Sequence, residues 1–325
     1  MQTKHSVLGL SPVARAFLLT TTVILATARV TSAEQPPDAP YLVVLGIAQD
    51  AGYPQAGCRK PCCERAWNDP SLRRGAISVA IVDPASDQRW LMDCSPDFRE
   101  QLHNLNRICP PQNGHGLTGI LLTHAHIGHY TGLMHLGREV MGSRAVPVFA
   151  MPRMRRFLES NGPWSQLVSL KNIQLRNMAD GQVVKLNERI RVVPFVVPHR
   201  DEYSETVGFR IHGPNHSALY LPDIDKWKRW DTPIERVLAD VDIAFLDGTF
   251  YSDGELPGRN MADIPHPFIL ESIKRFAVLP ASERAKVRFL HFNHTNPVLD
   301  VNSHEARSVT AAGHKIARQG EIIGL

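Results

Sequence analysis

The sequence predicts an α/β domain built around two sheets, and two observations lead to this fold class. Ten short runs of aliphatic or β-branched residues alternate with turns and with stretches of helical periodicity, which is typical of strands and helices mixed along one chain. Several of these apolar runs end at a histidine or an aspartate. The chain shows no internal repeat, and its one linker-like stretch is the Pro-rich segment 34–40 near the N-terminus, so we expect a single domain after it.

The elements follow from their side-chain patterns. Strands are expected where aliphatic and β-branched residues cluster, at 41–45, 77–82, 90–92, 120–122, 146–150, 190–197, 206–211, 218–221, 243–246 and 287–290. Helices are expected at 97–107, 133–140, 153–160, 267–276 and 303–317. A turn-rich loop, 46–57, follows the first strand.

Composition excludes several classes of protein. The chain has 325 residues, of which 43% are hydrophobic and 21% charged, so disorder, collagen-like repeats and coiled coils are excluded. Three of the 36 basic residues, Lys4, Arg15 and Arg29, lie in the N-terminal segment, and the remaining 33 nearly balance the 32 acidic ones. This balance gives no reason to expect a nucleic acid or an anionic membrane as partner.

The N-terminus predicts a secretory signal at 1–33. Basic residues precede the apolar run 16–28, and the small residues 31–33 offer a cleavage point before Glu34. The thirteen residues of the run are too few to span a bilayer. Arg29 is atypical of a signal, so an uncleaved anchor or a buried helix is the alternative. We expect a periplasmic or secreted protein with no membrane span after cleavage, a Pro-rich tether at 34–40 and a domain at 41–325.

Five cysteines are an odd number for an exported chain. Cys58, Cys62 and Cys63 are crowded together, and the adjacent pair can hardly bond to each other. The group predicts either a structural zinc with a fourth ligand from elsewhere or a disulfide with Cys94 or Cys109. A catalytic thiol ranks behind both.

Three histidines, His124, His126 and His129, directly follow the buried-strand pattern 119–123. Imidazole is a common zinc ligand, and His124 and His126 point the same way from an extended chain. Short apolar runs also end at a possible ligand downstream. These residues are His199, Asp223, Asp247 and His291, with His294 as a weaker candidate that orients a ligand. If their strands are neighbours, the side chains converge at one rim and predict a metal site.

This order of residues resembles the metallo-β-lactamase-fold superfamily, whose signature is His-x-His-x-Asp-His followed by a distant His, an Asp and a final His. The resemblance implies an αββα sandwich with the metal site at one edge. It also implies that His124, His126 and His199 hold a first metal, Asp223 bridges, and His129 with His291 holds a second. Gly128 stands where the signature has Asp, which removes a ligand of the second metal. Asp247 and Asp50 are candidates for the missing carboxylate.

A closer resemblance covers nearly the whole mature chain. The runs 45–55 (LGIAQDAGYPQ), 94–102 (CSPDFREQL), 247–249 (DGT) and 293–300 (NHTNPVLD) are similar to those of the protein B family of pyrroloquinoline quinone (PQQ) biosynthesis. That family commonly lacks the His-x-His pair, keeps the following Asp-His and is generally cytoplasmic. This chain keeps the histidine pair, lacks the Asp and carries the export pattern. It is therefore interpreted as an exported relative with a hydrolase-like metal site.

The leading hypothesis is a zinc-dependent hydrolase, with one or two Zn²⁺, in which metal-activated water attacks an ester, lactone, amide or phosphodiester of a small-molecule substrate. Asp223, with His129 and His291, is expected either to hold a second, weaker metal or to orient the water. By resemblance to relatives of the ribonuclease-Z type, Asp263 and His266 are acid/base candidates, although a solvated loop explains them equally well. The low net charge argues against a nuclease. The alternatives are an iron-dependent oxygenase acting on a tyrosine-derived precursor of PQQ, and a non-catalytic PQQ carrier.

Overall fold

The structure, a computed structural model that describes residues 38–114 and 116–325, contains fourteen strands and nine helices in those residues. The strands are β1 Tyr41–Gly46, β2 Ser78–Asp83, β3 Gln88–Met92, β4 Gly119–Leu121, β5 Val146–Ala150, β6 Ile173–Asn177, β7 Val184–Lys185, β8 Arg191–Val196, β9 Val207–His212, β10 Ser217–Leu221, β11 Ile243–Asp247, β12 Val287–Leu290, β13 Lys315–Ile316 and β14 Ile322–Gly324. The helices are α1 Pro61–Asn68, α2 Phe98–Ile108, α3 Ile127–Tyr130, α4 Pro152–Ser160, α5 Trp164–Ser169, α6 Ile234–Ala239, α7 Ile269–Phe276, α8 Ala281–Arg284 and α9 His304–Ala311.

Two seven-stranded sheets face each other. The first has the order β14-β1-β2-β3-β4-β5-β6, and the second has the order β13-β12-β11-β10-β9-β8-β7. Side chains such as Val44 and Val79 from the first sheet and Phe209 and Phe245 from the second share one apolar core, which holds the sheets together.

Helices cover both outer faces. Phe98 of α2 and Leu158 of α4 are buried in a second apolar cluster with Val43 and Leu91 of the first sheet. Helices α6, α7 and α9 bury apolar side chains against the second sheet. The layers therefore run helix, sheet, sheet, helix, which confirms the predicted αββα sandwich.

The strand directions bring the candidate site together. Strands β3, β4 and β5 are parallel neighbours in the first sheet, and β10, β11 and β12 are parallel neighbours in the second. Strand β8 runs antiparallel to β9, which runs antiparallel to β10, so β8 and β10 share a direction. The carboxyl ends of such strands lie along one edge, where ligands are bound in open α/β sheets.

All ten predicted strands are present, but two predicted helices are shorter than expected. The stretch 133–140 contains only the end of a 3₁₀ helix, Thr131–Leu136. The C-terminal helix ends at Ala311, because Gly313 adopts a φ of 89° and the chain then extends into β13. Strand β14, which lies outside the predicted elements, pairs antiparallel with β1.

The predicted signal at 1–33 and residues 34–37 of the tether lie outside the described residues. Export therefore stays a prediction. Among the residues that are described, none of the helices has the length and apolar character needed to cross a membrane.

Candidate metal centre

The candidate ligands follow strand ends at the edge where the two sheets meet. His124, His126 and His129 come after β4, His199 after β8, Asp223 after β10 and His291 after β12. Because β4 belongs to the first sheet and the other strands to the second, the site is built across the sandwich.

Three histidines form the first group of this site. His124, His126 and His199 each offer a ring nitrogen, and these atoms lie within 4.8 Å of one another. Thr123 Oγ1 lies 2.9 Å from His124 Nδ1, which leaves His124 Nε2 facing the group. Asp225 Oδ1 lies 3.4 Å from His199 Nδ1 on the far side of that ring. Polar groups behind the rings thus fix which nitrogen points inward.

Asp223 lies between the first group and a second pair of histidines. Its Oδ2 is 3.0 Å from His129 Nε2 and 3.1 Å from His291 Nε2. Its Oδ1 is 3.5 Å from His199 Nε2. The two oxygens of one carboxylate therefore face two different groups, as a bridging ligand requires.

Several atoms of this cluster are buried and have no hydrogen-bond partner among the described residues. Those that face the cluster are Asp50 Oδ1, His129 Nε2, His199 Nε2, Asp223 Oδ2 and His291 Nε2, and the short distances from Asp223 Oδ2 to the two ring nitrogens do not have hydrogen-bond geometry. Each unpartnered buried polar group costs about 1–3 kcal/mol, so their convergence on one place needs a compensating partner. Metal cations are such partners for imidazole nitrogens and carboxylate oxygens, and the residues present fit this role.

The electrostatics suit metal binding. Burial lowers the pKa of His124 well below its usual value, with His129 acting in the same direction, and burial also lowers the pKa of His126 and of His291. Burial alone raises the pKa of Asp223, but His291 and His129 outweigh it and hold that pKa well below the usual range. Neutral rings around an ionised carboxylate are the protonation states that metal binding requires.

Asp93, which follows β3, is a buried acceptor behind the site that sequence reasoning missed. Its Oδ2 lies 2.8 Å from His129 Nδ1 and accepts from Tyr220 Oη at 3.0 Å, and its Oδ1 accepts from Thr123 N and Oγ1, both at 2.8 Å. Burial lowers the pKa of His129, but Asp93 and Asp223 outweigh burial and raise it well above the usual value. His129 thus differs from the neutral rings of His124, His126 and His291: its two carboxylates favour a positive charge, which a bound cation would supply in place of the ring's proton. A polar residue at the end of an apolar strand was the available signal.

Backbone strain accompanies this arrangement at two strand ends. Asp93 has a φ of 63° and His291 a φ of 64°, in the left-handed region that non-glycine residues rarely adopt. Such conformations cost about 1–3 kcal/mol and concentrate at functional sites. Here one strained residue, His291, lies in the cluster, and the other, Asp93, lies directly behind it.

Asp247 supports the site from the second sheet. Its oxygens accept from Thr249 N at 2.9 Å, Thr249 Oγ1 at 2.7 Å and Ile224 N at 3.1 Å, and Oδ2 lies 2.7 Å from His266 Nδ1. Thr249 Oγ1 in turn lies 2.9 Å from His291 Nδ1. Because both oxygens of Asp247 are already used in this way, Asp247 is not the carboxylate that replaces the one missing at Gly128.

The two acid/base candidates differ in their placement. His266 is buried, and its Nδ1 lies 3.7 Å from Asp223 Oδ1, so the structure brings it into the cluster. Asp263 ends a short 3₁₀ turn capped by Asn260, its side chain is exposed, and it is not among the described residues whose ligand atoms converge. The structure does not bring Asp263 into the cluster, so its acid/base role stays a prediction.

The cysteine group gains a fourth member in the structure. Cys58 Sγ and Cys62 Sγ are 3.8 Å apart, and His294 Nδ1 lies 3.7 Å from Cys62 Sγ and 3.3 Å from Cys63 Sγ. All four ligand atoms lie within 4.8 Å of one another, and the chain's five cysteines are free. Three cysteines and one histidine are a donor set typical of structural zinc. The zinc alternative therefore fits this group and the disulfide alternative does not, and His294 belongs here rather than behind the histidine cluster.

The chain matches a known family and known relatives. The family model described as a beta-lactamase superfamily domain matches residues 88–315. Coenzyme PQQ synthesis protein B of Xanthomonas campestris pv. campestris (strain B100) is 29% identical over 314 residues, which cover 87% of this chain and 99% of that protein. The protein of the same name from Methylorubrum extorquens is 27% identical over 316 residues, which cover 88% of this chain and 100% of the relative.

Solved structures share the fold. Zn²⁺-bound PqqB from Methylobacterium extorquens has a TM-score of 0.75 at 24% identity, covering 88% of this chain and 100% of that chain. A diphosphatase of the PhnP family has a TM-score of 0.61 at 23% identity, covering 88% of this chain and 98% of that chain. These likenesses confirm the metallo-β-lactamase fold.

Replacing Asp93 by Asn is expected to weaken metal binding at the histidine cluster about 10–100-fold, because the amide no longer provides a charged acceptor for His129 Nδ1. Tyr220→Phe is the control, since it removes a hydrogen bond to the same Asp93 oxygen but leaves His129 its partner. Zinc competition against a chromophoric chelator gives both affinities. Wild-type affinity in Asp93→Asn would contradict the role of Asp93.

Proposed function

The chain belongs to the beta-lactamase superfamily, and from that premise we propose that it is a zinc-dependent hydrolase of a small-molecule ester, lactone, amide or phosphodiester. The observation that carries the proposal is the convergence of unpartnered buried nitrogens and oxygens on Asp223. A site that holds no metal gains nothing from leaving these atoms unpartnered, whereas a metal site needs them free.

His124, His126 and His199 are proposed to hold the main metal, with Asp223, His129 and His291 at a second position. Bound zinc lowers the pKa of a coordinated water towards neutrality and so supplies hydroxide as the nucleophile. The choice of zinc is also supported by the similar PqqB structure, which is a Zn²⁺-bound form of that protein.

The chain's own residues orient the nucleophile. The Asp223 carboxylate faces both groups, so it would be placed to orient a water bound between them. Thr123 and Asp225 hold the rings of His124 and His199 from behind, which keeps the inward nitrogens fixed during the reaction. This preorganisation lowers the reorganisation required at the transition state.

His266 is proposed to protonate the leaving group. Burial lowers its pKa, but the nearby Asp247 carboxylate outweighs burial and raises that pKa to about 8. The ring is therefore protonated at neutral pH, and its hydrogen bond to Asp247 through Nδ1 leaves Nε2–H to donate.

The substrate is proposed to be a small molecule, because the low net charge of the chain does not favour a polyanion. The similarity to coenzyme PQQ synthesis protein B favours a substrate connected with that quinone cofactor, without identifying the bond that is cleaved.

His124→Ala/His126→Ala is expected to lower kcat/KM by about 10³-fold on whichever substrate the wild type cleaves, because loss of the metal removes several kcal/mol of transition-state stabilisation. The zinc-loaded wild type is first screened with ester, lactone, amide and phosphodiester substrates. His103→Ala, which alters an exposed histidine on α2, is the matched control and should retain full activity.

Two results would contradict the hydrolase. Turnover that requires oxygen and iron favours the oxygenase. A metal-loaded protein that binds PQQ or its precursors and cleaves none of the four bond types favours the carrier.

His266→Gln is expected to slow substrates with poor leaving groups by about 10²–10⁴-fold and activated p-nitrophenyl substrates much less. A proton donor acts only while protonated, so wild-type kcat should fall as pH rises through about 8, and the variant should lack this basic limb. Equal losses for both kinds of leaving group would instead assign His266 a structural role.

A further inference from the structure

The loop after β1 carries a carboxylate into the histidine cluster. Asp50 Oδ1 lies 3.6 Å from His129 Nε2, and one ligand atom from each of Asp50, His129 and His291 lies within 4.8 Å of the others. The distance is too long for a hydrogen bond, and Asp50 Oδ1 is buried with no hydrogen-bond partner among the described residues. The oxygen therefore faces the same place as the unpartnered nitrogens of the two histidines.

The loop is fixed in this position by its backbone. Gln49 N donates to Phe292 O at 2.8 Å, and Phe292 N donates to Ile47 O at 2.8 Å, so the segment before Asp50 is paired with the residue after His291. Gly52 N then donates to Gln49 O at 2.8 Å, which closes a turn around Asp50. Any displacement of Asp50 would disturb the backbone next to His291.

Gly128 makes room for this loop. A Cβ atom built on Gly128 would lie 2.3 Å from Asp50 Cα and 2.3 Å from Asp50 Oδ1. Such distances are impossible for a real side chain. Gly128 lies in α3 and is not among the described glycines with positive φ, so space rather than backbone conformation requires glycine here. Asp50 and the missing side chain of Gly128 thus compete for one volume.

The neighbouring carboxylates are used elsewhere. Both oxygens of Asp247 accept hydrogen bonds from Ile224 and Thr249, and Asp93 lies behind His129 on its Nδ1 side. Within the described part of the chain, Asp50 joins Asp223 as a second carboxylate close to both His129 and His291. Two imidazoles with the carboxylates of Asp50 and Asp223 form a complete donor set for zinc or iron.

We infer that Asp50 is a ligand of the second metal, so that this chain builds a dinuclear centre with a carboxylate from the first loop in place of a side chain at position 128. The inference rests on the proposed function, because it presupposes a metal at the first position. Since the loop lies before residue 88, this ligand comes from outside the part of the chain that matches the family model.

The test is the number and affinity of metals bound by the full mature chain. Asp50→Asn keeps the shape of the side chain but loses its charge, and it is expected to weaken the second zinc at least about 100-fold while the first zinc and the cysteine-bound zinc remain. Elemental analysis across a series of free zinc concentrations should therefore show one metal fewer per chain than in the wild type. Asp263→Asn, an exposed aspartate, is the matched control and should bind as the wild type does.

Gly128→Ala provides a second, independent variant. It changes no ligand, but its methyl group must displace the Asp50 loop, so it should lose the same metal as Asp50→Asn. Asp50→Glu retains a carboxylate and should recover part of the affinity. Circular dichroism and thermal unfolding of each variant establish that the chain is folded.

The outcomes separate the two proposals. If Asp50→Asn binds as many metals as the wild type while His124→Ala/His126→Ala binds fewer, the inference about Asp50 fails and the hydrolase proposal stands. If the wild type binds metal only at its cysteines, both fail. Loss of one metal in both Asp50→Asn and Gly128→Ala, with the first metal retained, supports the inference.

Discussion

The carboxylate of Asp223, buried among five imidazoles, is the constraint on which the site depends. Its Oδ2 lies close to His124, His129 and His291, and its Oδ1 lies close to His199 and His266. Burying this charge is costly unless groups that stabilise a negative charge face it. The sandwich supplies that environment because parallel strands from both sheets end at the same edge. The site therefore depends on the fold, because without the converging strand ends the buried carboxylate would be an unpaired charge.

Each sheet holds its half of the site with an aspartate and a threonine. In the first sheet, Asp93 accepts from Thr123 and lies behind His129, while Thr123 lies beside His124. In the second sheet, Asp247 accepts from Thr249 and lies behind His266, while Thr249 lies beside His291. These paired supports fix ring orientation from two sides, and rigid orientation distinguishes a metal site from a loose cluster of histidines.

The fold and the histidine cluster were predictable from the sequence because they depend on local pattern. Apolar runs that end at His124, His199, Asp223 and His291 indicate both the strands and the residues at their ends. Asp93 was missed because a single aspartate after a strand looks like an ordinary turn residue. His294 was assigned to the wrong group because its pairing with cysteines more than 200 residues away depends on the tertiary fold.

The roles of Asp50 and Gly128 also depend on tertiary packing, which the sequence alone does not reveal. The sequence reveals that position 128 has no side chain, and it left Asp50 and Asp247 as alternatives for the missing carboxylate. The structure distinguishes Asp50 from Asp247. The first loop packs Asp50 against α3, whereas the oxygens of Asp247 already interact with Thr249 and His266. The exposure of Asp263 was not predictable for a related reason, because a turn in the chain determines whether a loop residue faces solvent or the site.

The most direct measurement is an anomalous difference map at the zinc edge from crystals of the mature protein grown with zinc. We expect one peak among His124, His126 and His199 and a second among His129, His291 and Asp223, in addition to a peak among the three clustered cysteines and His294. A map with zinc only at the cysteines, and none around a well-ordered Asp223, would contradict the claim that the buried histidine cluster is a metal centre.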